Sequence, residues 1–328
     1  MKEKINWGIL ATGGIAAAMA KGLARVPDAC LAAVGSRTFE AADKFGRRFG
    51  IPRRYGSYED LARDPEIDVV YVSTPHTLHY ENCLMLINEG KAILCEKPFT
   101  INAEQAAEVI TRARKKKCFV LEAMWTRFLP ALVKVGEILK ERLLGDIRML
   151  NASFGFKAEF DPQHRLFNPS LGGGALLDVG VYPVSFASMV FGQPSQIVSQ
   201  CHLGETGVDE QSAMLFRYGL GQMAVLAAAV RTEIPQDAYI IGNKGRLRVH
   251  APWWQSQKLS LTFTEKKREK VLNFPFKGNG FSFEAEEVMR CLREGRLESQ
   301  IMPLDESLSI MKTMDTIRAQ WGLRYPME

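Results

Sequence analysis

Ala92-Ile93-Leu94-Cys95-Glu96-Lys97-Pro98 is the stretch from which the fold of this 328-residue chain is best interpreted. Its apolar start predicts a buried strand, which leads to a glutamate and a lysine before a proline. Pro98 cannot donate to a strand ladder, so the strand ends there. A lysine is costly inside a sheet, but it is useful at the carboxyl end of a parallel strand, where open α/β sheets bind ligands. The alternative is a lysine whose stem lies along the surface while its ammonium stays in water.

Short β-rich runs alternate with helical patterns on both sides of this stretch, up to about residue 123. The predicted strands cover residues 5–11, 30–36, 69–73, 92–95 and 119–122, and the predicted helices cover 15–26, 40–49, 80–89 and 103–116. Such an alternation is typical of a parallel sheet with helices on both faces.

The pattern changes in the second part of the chain, where long alternating runs follow one more helix at 132–143. The predicted strands are 149–160, 196–203, 211–218, 222–233, 238–241, 246–250, 258–264 and 270–274, and helices at 281–294 and 305–321 close the chain. Tight turns such as 218–221 and 242–245 join several of these strands, which predicts an antiparallel sheet. We therefore expect two domains, residues 1–123 and 124–328, with the option that the last helix packs back on the first domain.

Composition excludes several classes of protein. Hydrophobic residues make up 46% of the chain and charged residues 24%, which is ordinary for a globular protein. The formal charge of +5 suits an anionic small ligand and is too small to indicate nucleic acid. Nucleic-acid binding through basic patches, such as the run at 266–268, is a weaker rival function, and a solvated hairpin tip is the preferred interpretation of that run.

The spacing of the cysteines and the start of the sequence predict the cellular compartment of the protein. The six cysteines form no C-x-x-C pair, so reduced core thiols are expected. The sequence shows no signal-peptide pattern, and we identify no apolar run of membrane-spanning length. We expect a cytoplasmic protein that binds neither membranes nor nucleic acid.

The turn Ala11-Thr12-Gly13-Gly14-Ile15-Ala16 follows the first predicted strand. It matches the dinucleotide fingerprint G-x-G-x-x-G/A with alanine in the first place, and Gly13 would let the backbone approach a pyrophosphate. An ordinary tight turn is the alternative. The position between a strand and a helix favours a cofactor site formed by the residues Thr12, Gly13, Gly14 and Ile15.

The end of the second strand, Gly35-Ser36-Arg37-Thr38, bears on the choice of cofactor. NAD-binding chains place an acid near this point for the ribose hydroxyls, and none is present here. A hydroxyl and a guanidinium, from Ser36 and Arg37, suit the 2′-phosphate of NADP. NADP is therefore the preferred cofactor and NAD the alternative. A solvated loop arginine is the other reading of Arg37.

Thr74, Pro75, His76 and His79 follow the third long strand on the same ligand side. Two histidines three residues apart resemble half of a metal site, but no further ligands at suitable spacing support one, so no metal is predicted. Positioning of a nicotinamide or a substrate hydroxyl is the preferred role. A helix-capping turn is the alternative.

The stretch 171–183 combines three consecutive glycines with an acid and a tyrosine. Asp178 and Tyr182, four residues apart, would share one helical face. Pro183 removes a helical hydrogen bond, so we expect a kink near Tyr182. Together with Lys97, these two side chains look like a proton-transfer set, and the alternative is a packed helix with a capped acid.

These motifs resemble the Gfo/Idh/MocA oxidoreductases, the family named for glucose-fructose oxidoreductase and inositol dehydrogenase. The resemblance runs along essentially the whole chain and rests on the turn 11–16, on Ser73-Thr74-Pro75 with His79, on Glu96-Lys97-Pro98, on 172–182 and on 321–326. The stretch 122–128, the Arg37 region and Tyr182 are similar to the branch of dimeric dihydrodiol dehydrogenase and NADP-dependent xylose dehydrogenase. The departure is Ala11 in place of the first glycine.

The resemblance implies a doubly wound Rossmann domain followed by an α+β domain with a large open antiparallel sheet. It also implies dimerisation, or higher homo-oligomerisation, through that sheet. Further pocket residues are expected at two places: Glu96, Trp125 and Arg127 beside the cofactor, and Arg165 and Phe167 beside a small-molecule substrate.

The predicted activity is hydride transfer between NADP and a sugar, polyol or cyclic diol. Lys97 would hydrogen-bond the reacting oxygen and lower the pKa of Tyr182, the expected general acid/base, while Asp178 orients the substrate or pairs with Lys97. If Lys97 carries the proton instead, the same residues are needed. The rival functions are a reductase for a non-sugar carbonyl, a cofactor-retaining oxidoreductase, and a regulator that senses NADP(H) without turnover.

Overall fold

The structure, a computed structural model, describes residues 3–265 and 268–328. The chain divides into two units: Met1–Trp125 with Lys277–Leu308, and Thr126–Phe276 with Ser309–Glu328. The first division lies close to the change of pattern near residue 123. Residues 277–308, however, belong to the first unit, whereas the sequence prediction assigned them to the second domain. Lys266 and Lys267 of the basic run lie outside the described residues.

Parallel strands form the sheet of the first unit, in the order β3-β2-β1-β4-β5-β6. The strands are β1 Ile5–Leu10, β2 Ala29–Gly35, β3 Arg53–Tyr55, β4 Val69–Val72, β5 Ala92–Glu96 and β6 Val120–Ala123. The strand order reverses between β1 and β4, so the carboxyl ends of these strands flank a topological switch point. This is the doubly wound Rossmann sheet that the alternating pattern predicted.

Helices of the first unit connect these strands, and one more helix returns from the far end of the chain. They are α1 Gly14–Leu23, α2 Phe39–Phe49, α3 Tyr58–Arg63, α4 His79–Asn88, α5 Ala103–Lys116 and α8 Phe281–Arg293. Helix α8 packs on α1 at Gly22, where an added Cβ would come 2.9 Å from Cβ of Phe281. The returning segment is therefore part of the hydrophobic packing of this unit.

The second unit contains a sheet in the order β14-β13-β12-β11-β7-β10-β9-β8. Its strands are β7 Ile147–Gly155, β8 Gln196–Leu203, β9 Asp209–Arg217, β10 Met223–Ala229, β11 Ala238–Gly242, β12 Gly245–Val249, β13 Lys258–Phe263 and β14 Glu269–Asn273. Neighbouring strands are antiparallel except β7 and β10, which pair in parallel. The sheet is therefore mostly antiparallel, as predicted, with one parallel pair that the sequence did not indicate.

One face of this sheet is covered by the apolar stretch Pro169–Phe191, whose last part is helix α7 Val181–Phe191. By length and composition this stretch could cross a membrane, which contradicts the expectation of no such run. Its most apolar window is 78% buried inside the fold, as is usual for a core helix. Helix α6 Pro130–Lys140 packs on α7, and α9 Leu304–Trp321 begins in the first unit and ends in the second.

Candidate active site

The dinucleotide-like turn between β1 and α1 has the backbone that its sequence predicts. Ala11 has a φ of 78°, a left-handed conformation that glycine adopts more easily, at the position where the fingerprint has its first glycine. Gly13 precedes α1 without any side-chain cap on the helix, and an added Cβ at Gly13 or Gly14 would meet nothing within 4 Å. The first amides of α1 are thus open to a ligand, and a pyrophosphate fits this cradle.

Ser36 and Arg37 follow β2, the neighbour of β1, at the carboxyl edge of the same sheet. Ser36 is buried and Arg37 is exposed. The guanidinium lies close enough to Tyr58 to act on the pKa of that phenol, which burial raises and Arg37 lowers. Arg37 is thus an exposed cation at the carboxyl edge of the sheet, and its contact with a 2′-phosphate stays a prediction.

The loop after β4 is organised by a histidine that is completely buried. The ring of His79 contacts two backbone carbonyls, that of Thr74 through Nε2 at 3.0 Å and that of Pro98 through Nδ1 at 2.9 Å. Burial lowers the pKa of His79 to about 4. His79 therefore connects the loops that follow β4 and β5 from inside the unit.

Of the other predicted residues of this loop, Thr74 is buried, and Pro75 and His76 lie nearer to solvent. Thr74 accepts a hydrogen bond on Oγ1 from Nδ2 of Asn82 at 3.0 Å, Pro75 is exposed and His76 is half-buried. The rings of His76 and His79 meet edge to face, with centroids 5.8 Å apart. Within the described residues, no group of three or more His, Cys, Asp or Glu side chains could hold a metal ion.

Strand β5 ends at Glu96, and Lys97 follows it at the ligand edge of the sheet. Glu96 is buried and accepts hydrogen bonds from the phenol of Tyr71 on β4 and from the backbone N–H of Lys97 at 3.1 Å. Lys97 is half-buried, and its peptide bond to Pro98 is cis. The strand therefore delivers the lysine to the place that the sequence pattern predicted.

The acid and the tyrosine of the stretch 171–183 lie in the second unit, on a distorted helix. Residues Leu176–Gly180 form a π-helical turn and Tyr182 lies in the first turn of α7, so the kink expected from Pro183 takes the form of a π turn. Asp178 and Tyr182 are both buried. Asp178 pairs with Arg165, Oδ1 to Nη1 at 2.9 Å, and the guanidinium side of this pair is half exposed. Arg165 thus contacts one of the predicted site residues.

A buried acid holds the start of this helix. Asp209 of β9 accepts a hydrogen bond from the backbone N–H of Leu176 at 2.7 Å, and Gly174 lies so close, with a φ of 113°, that an added Cβ would overlap Oδ1 of Asp209. Burial raises the pKa of Asp209 to about 7. Nothing in the sequence pattern pointed to Asp209, because its partner lies 33 residues away in the chain.

An aromatic wall, which we define as Tyr182, Phe154 and Trp254, was missed by sequence reasoning. The rings of Phe154 and Tyr182 have centroids 5.3 Å apart, and Phe154 stacks on Trp254 at 3.4 Å with an interplanar angle of 9°. Phe154 and Trp254 are half-buried. Alternating strands contain many aromatic residues, so only the pairing of distant segments could identify these.

The remaining predicted pocket residues are buried in their own units. Trp125 stacks on Phe281 with centroids 5.2 Å apart. Arg127 donates through Nε to Oγ of Ser185 at 3.0 Å and through Nη2 to the carbonyl of the same residue at 2.7 Å. Phe167 is fully buried and packs edge to face on Phe160. Each has a clear packing role, and their contacts with cofactor or substrate remain predictions, as does the meeting of Lys97 with Tyr182.

Two family models match this chain, and the boundary between them lies close to the division after Trp125. Residues 5–124 match a family described as oxidoreductase, NAD-binding Rossmann fold, and residues 132–248 match the GFO/IDH/MocA C-terminal domain. The chain is 38% identical over 330 residues to trans-1,2-dihydrobenzene-1,2-diol dehydrogenase of Xenopus tropicalis, covering 98% of this chain and 99% of that protein. The human protein of the same name is 34% identical over 333 residues, covering 99% of each.

Solved structures show the same fold. The aldose-aldose oxidoreductase of Caulobacter crescentus superimposes with a TM-score of 0.87 at 23% identity, covering 98% of both chains. A levoglucosan dehydrogenase in complex with NADH and L-sorbose gives 0.89 at 19% identity, covering 98% of this chain and 97% of that one. A 3-ketoreductase of Actinomadura kijaniata with NADP gives 0.83 at 24% identity, covering 96% of this chain and 97% of that one.

The relatives along the whole length are dehydrogenases, and the first unit carries an open dinucleotide turn with a lysine at the same sheet edge. The chain is therefore an enzyme that uses a nicotinamide cofactor on CH–OH groups. It belongs to the Gfo/Idh/MocA oxidoreductases, in the branch of the dihydrodiol dehydrogenases.

Proposed function

We propose that this enzyme is an NADP-preferring dehydrogenase/reductase that acts on a sugar, a polyol or a cyclic diol. The observation that carries the proposal is the position of Lys97. The lysine follows β5 at the edge of the sheet where the open turn Gly13–Gly14 also lies, and both belong to one unit. Bound NADP supplies the hydride chemistry, so the chain has to orient the substrate carbon and handle one proton.

Lys97 and Tyr182 are proposed to handle this proton. The Lys97 ammonium would hydrogen-bond the reacting oxygen and favour the phenolate of Tyr182, which accepts or returns the proton as the direction of reaction requires. Asp178, held by Arg165, would orient the substrate. If the proton resides on Lys97 instead, Tyr182 becomes the hydrogen-bonding partner and the same side chains are used.

The aromatic wall favours a ring-shaped substrate. Flat aromatic faces stack on flat or cyclic ligands and give little specific recognition to an open polyol chain. Tyr182 is itself part of the wall, so a ring stacked there would present its hydroxyl close to the phenol. The relatives are named trans-1,2-dihydrobenzene-1,2-diol dehydrogenase, and this name describes a cyclic substrate. Within the proposed class we therefore place cyclic diols and pyranoses before acyclic polyols.

The preference for NADP rests on Arg37. The segment Gly35–Thr38 offers a guanidinium and a hydroxyl, and an acid there would repel the 2′-phosphate. Solved structures of the same fold hold NADP in one case and NADH in another, so the fold accommodates either cofactor. NAD is the alternative in our proposal.

We further propose that two copies associate through the open face of the second unit's sheet. Val198, Leu215 and Val225 lie side by side on β8, β9 and β10, and they are 54%, 39% and 45% exposed. A contiguous apolar row on a flat sheet suits a self-complementary interface.

The six cysteines are free thiols, which supports a reducing compartment such as the cytoplasm.

A spectrophotometric screen tests the activity. The purified protein is mixed with NADP or NAD and a panel of aldoses, polyols and trans-dihydrodiols, and with NADPH and a panel of dicarbonyls, while absorbance of the reduced cofactor is followed. We expect turnover with a cyclic diol or sugar and a lower KM for NADP than for NAD. Turnover restricted to dicarbonyls would favour the reductase of non-sugar carbonyls. Tight NADP(H) binding without turnover would favour the sensor.

The proposed preference for NADP is tested separately by a substitution of Arg37. Arg37→Ala is expected to raise the KM for NADP roughly ten-fold, because a charge-assisted hydrogen bond is lost, while the KM for NAD changes little. Arg48→Ala, which removes an exposed arginine from α2, should change neither value. A lower KM for NAD than for NADP in the unmodified protein contradicts the assignment of Arg37.

A further inference from the structure

A phenol and two carboxyl groups are buried near Lys97 in the first unit. Tyr71 on β4 pairs in register with Leu94 on β5, and Glu96 lies two residues beyond Leu94. Because side chains alternate along a strand, Tyr71 and Glu96 point to the same face. Glu122 of β6 pairs with Cys95 and therefore points to the opposite face. The second carboxyl group comes from Glu284 of α8, which lies close enough to Glu96 for the charge of Glu96 to raise its pKa.

The hydroxyl of Tyr71 contacts the carboxylate of Glu96, and this carboxylate contacts the backbone of Lys97. Its ring is fully buried, and its hydroxyl donates to Oε1 of Glu96. The other oxygen of Glu96 accepts the backbone N–H of Lys97 at 3.1 Å. The phenol on β4 and the backbone of the lysine after β5 are thus connected through one carboxylate, and a phenol in a buried strand requires a partner of this kind.

The surroundings of Glu284 and Glu96 favour different protonation states. The side chain is fully buried, and among the described residues neither of its oxygens has a hydrogen-bond partner. Burial, and next the charge of Glu96, raise the pKa of Glu284 well above its ordinary value. Glu96, in contrast, receives a hydrogen bond on each oxygen, and such bonds stabilise the charged form. Burial therefore disfavours a charge on Glu284, and the two hydrogen bonds favour one on Glu96.

We propose that Tyr71 is a positioning residue for Lys97 and acts through the charged carboxylate of Glu96. The inference rests on the role of Lys97 proposed above and adds a residue to it. Without the phenol, Glu96 keeps its hydrogen bond to the amide of Lys97 but loses a donor that helps to orient its carboxylate. The lysine would then sample positions from which its ammonium misses the reacting oxygen, and misplacement of this kind lowers turnover.

The variant Tyr71→Phe removes one oxygen atom and keeps the buried ring. With a substrate identified in the screen, we expect kcat to fall about ten-fold, since hydrogen bonds to charged groups have effects of this size. The KM values for substrate and NADP should stay close to those of the unmodified enzyme. Tyr80→Phe is the matched control, because Tyr80 also donates to a glutamate, Glu108 of α5, on the surface between α4 and α5. Its kcat should be unchanged.

Two results would overturn the inference. One is an unchanged kcat in Tyr71→Phe; the other is an equal loss in both tyrosine variants that follows the folded fraction, since that is a structural effect. If Tyr71→Phe does not fold, Glu96→Gln keeps the size of the side chain and removes its charge. A lowered kcat with an unchanged KM for NADP in that variant supports the proposal, and a normal kcat refutes it.

Lys97→Ala, measured in parallel, separates this inference from the proposed function. If Lys97→Ala loses turnover while Tyr71→Phe keeps it, only the role of Tyr71 is refuted. If Lys97→Ala keeps turnover, the proposed role of Lys97 is wrong and the positioning role falls with it. Binding of NADPH, followed by fluorescence, confirms in each variant that the cofactor site is intact.

Discussion

Lys97 and Tyr182 are the two side chains whose loss should affect chemistry most. Lys97→Ala and Tyr182→Phe are each expected to lower kcat by about 10²–10⁴, the usual effect of removing one positioned acid or base. The thermal unfolding midpoint should change little, because Lys97 is half-buried at a strand end and Tyr182→Phe keeps the ring that packs on Phe154. Steady-state kinetics and a melting curve of each variant provide the measurement.

The controls for these substitutions come from ordinary positions of the same residue types. Lys21→Ala removes an exposed lysine near the end of α1, and Tyr239→Phe removes a hydroxyl from the open face of the second sheet. Both should behave like the unmodified enzyme. Near-normal turnover of Lys97→Ala would be incompatible with the proposed mechanism, whatever Tyr182→Phe does.

The positions of single residues could be predicted where a residue follows the end of a strand. Contacts with residues far away in the chain could not be predicted. The sequence placed Lys97, Gly13 and Arg37 at one edge of a parallel sheet, and the strand order confirms that arrangement. Arg127 and Phe167 have packing contacts that the sequence did not indicate, and their predicted places in the pocket stay predictions. A bond between Arg127 and Ser185 spans 58 residues, and no local pattern carries information about it.

At the level of single elements, the start of the π-helical turn depends on Gly174. Gly174→Ala would bring a methyl group onto Oδ1 of Asp209 and force a φ of 113° on a residue with a Cβ. We expect the free energy of unfolding to fall by about 3 kcal/mol or more, the combined effect of overpacking and backbone strain. Denaturant titration of both proteins measures the difference.

Gly192→Ala separates the two causes. Gly192 ends α7 with a φ of 75°, and an added Cβ there meets nothing within 4 Å. This variant has backbone strain without the overlap, so its loss should be about 1–3 kcal/mol and smaller than that of Gly174→Ala. Equal losses in the two variants would mean that the contact with Asp209 contributes nothing.

The bounds of an element with a long periodic pattern could be predicted closely, whereas very short elements were not predicted. Helix α5 spans 103–116, as predicted, because its apolar spacing and its cap at Asn102 agree. Strand β3 and helix α3 were not predicted, since three and six residues are too few to show a period. The predicted strands at 149–160 and 222–233 end earlier, at Gly155 and Ala229, and their parallel pairing depends on partners that a pattern cannot specify.

For the molecule as a whole, His79 makes stability depend on pH. Its pKa is about 4 in the folded protein and its ordinary value is 6.5, so the unfolded chain takes up this proton first as the pH falls. The contribution of His79 is complete above pH 6.5 and is lost on the way down to pH 4. The expected decrease in the free energy of unfolding is on the order of 3 kcal/mol. Urea titrations between pH 4 and pH 7 measure it.

His79→Gln tests this dependence, because an amide can bond one of the two carbonyls and does not titrate. The variant should be less stable at pH 7 but lose less stability on acidification. Asp209 works in the opposite direction: its pKa is raised to about 7, so its contribution falls as the pH rises towards 7. Since both proteins contain Asp209, the difference between them isolates His79. Parallel pH curves would contradict the prediction.

The oligomeric state of the molecule tests the open sheet face. Val225→Arg places a charge in the exposed row that Val225 forms with its neighbour Leu215 and with Val198 beyond it. If this row is the proposed interface, sedimentation velocity should show a dimer for the unmodified protein and a monomer for the variant. Leu220→Arg, at an 82% exposed position in the turn between β9 and β10, should stay dimeric. A variant Val225→Arg that remains a dimer places the interface elsewhere.

The return of Lys277–Leu308 to the first unit has a consequence for how the protein is made. The ribosome releases the strands of the nucleotide-binding sheet within the first 123 residues, but the helix that packs on α1 and stacks a phenylalanine on Trp125 emerges only when most of the chain has been translated. Until then, the apolar groove beside Gly22 is uncovered. The nascent first unit therefore has to stay incomplete while the second is synthesised, and a gene fragment that ends after β6 lacks what it needs to become a stable module.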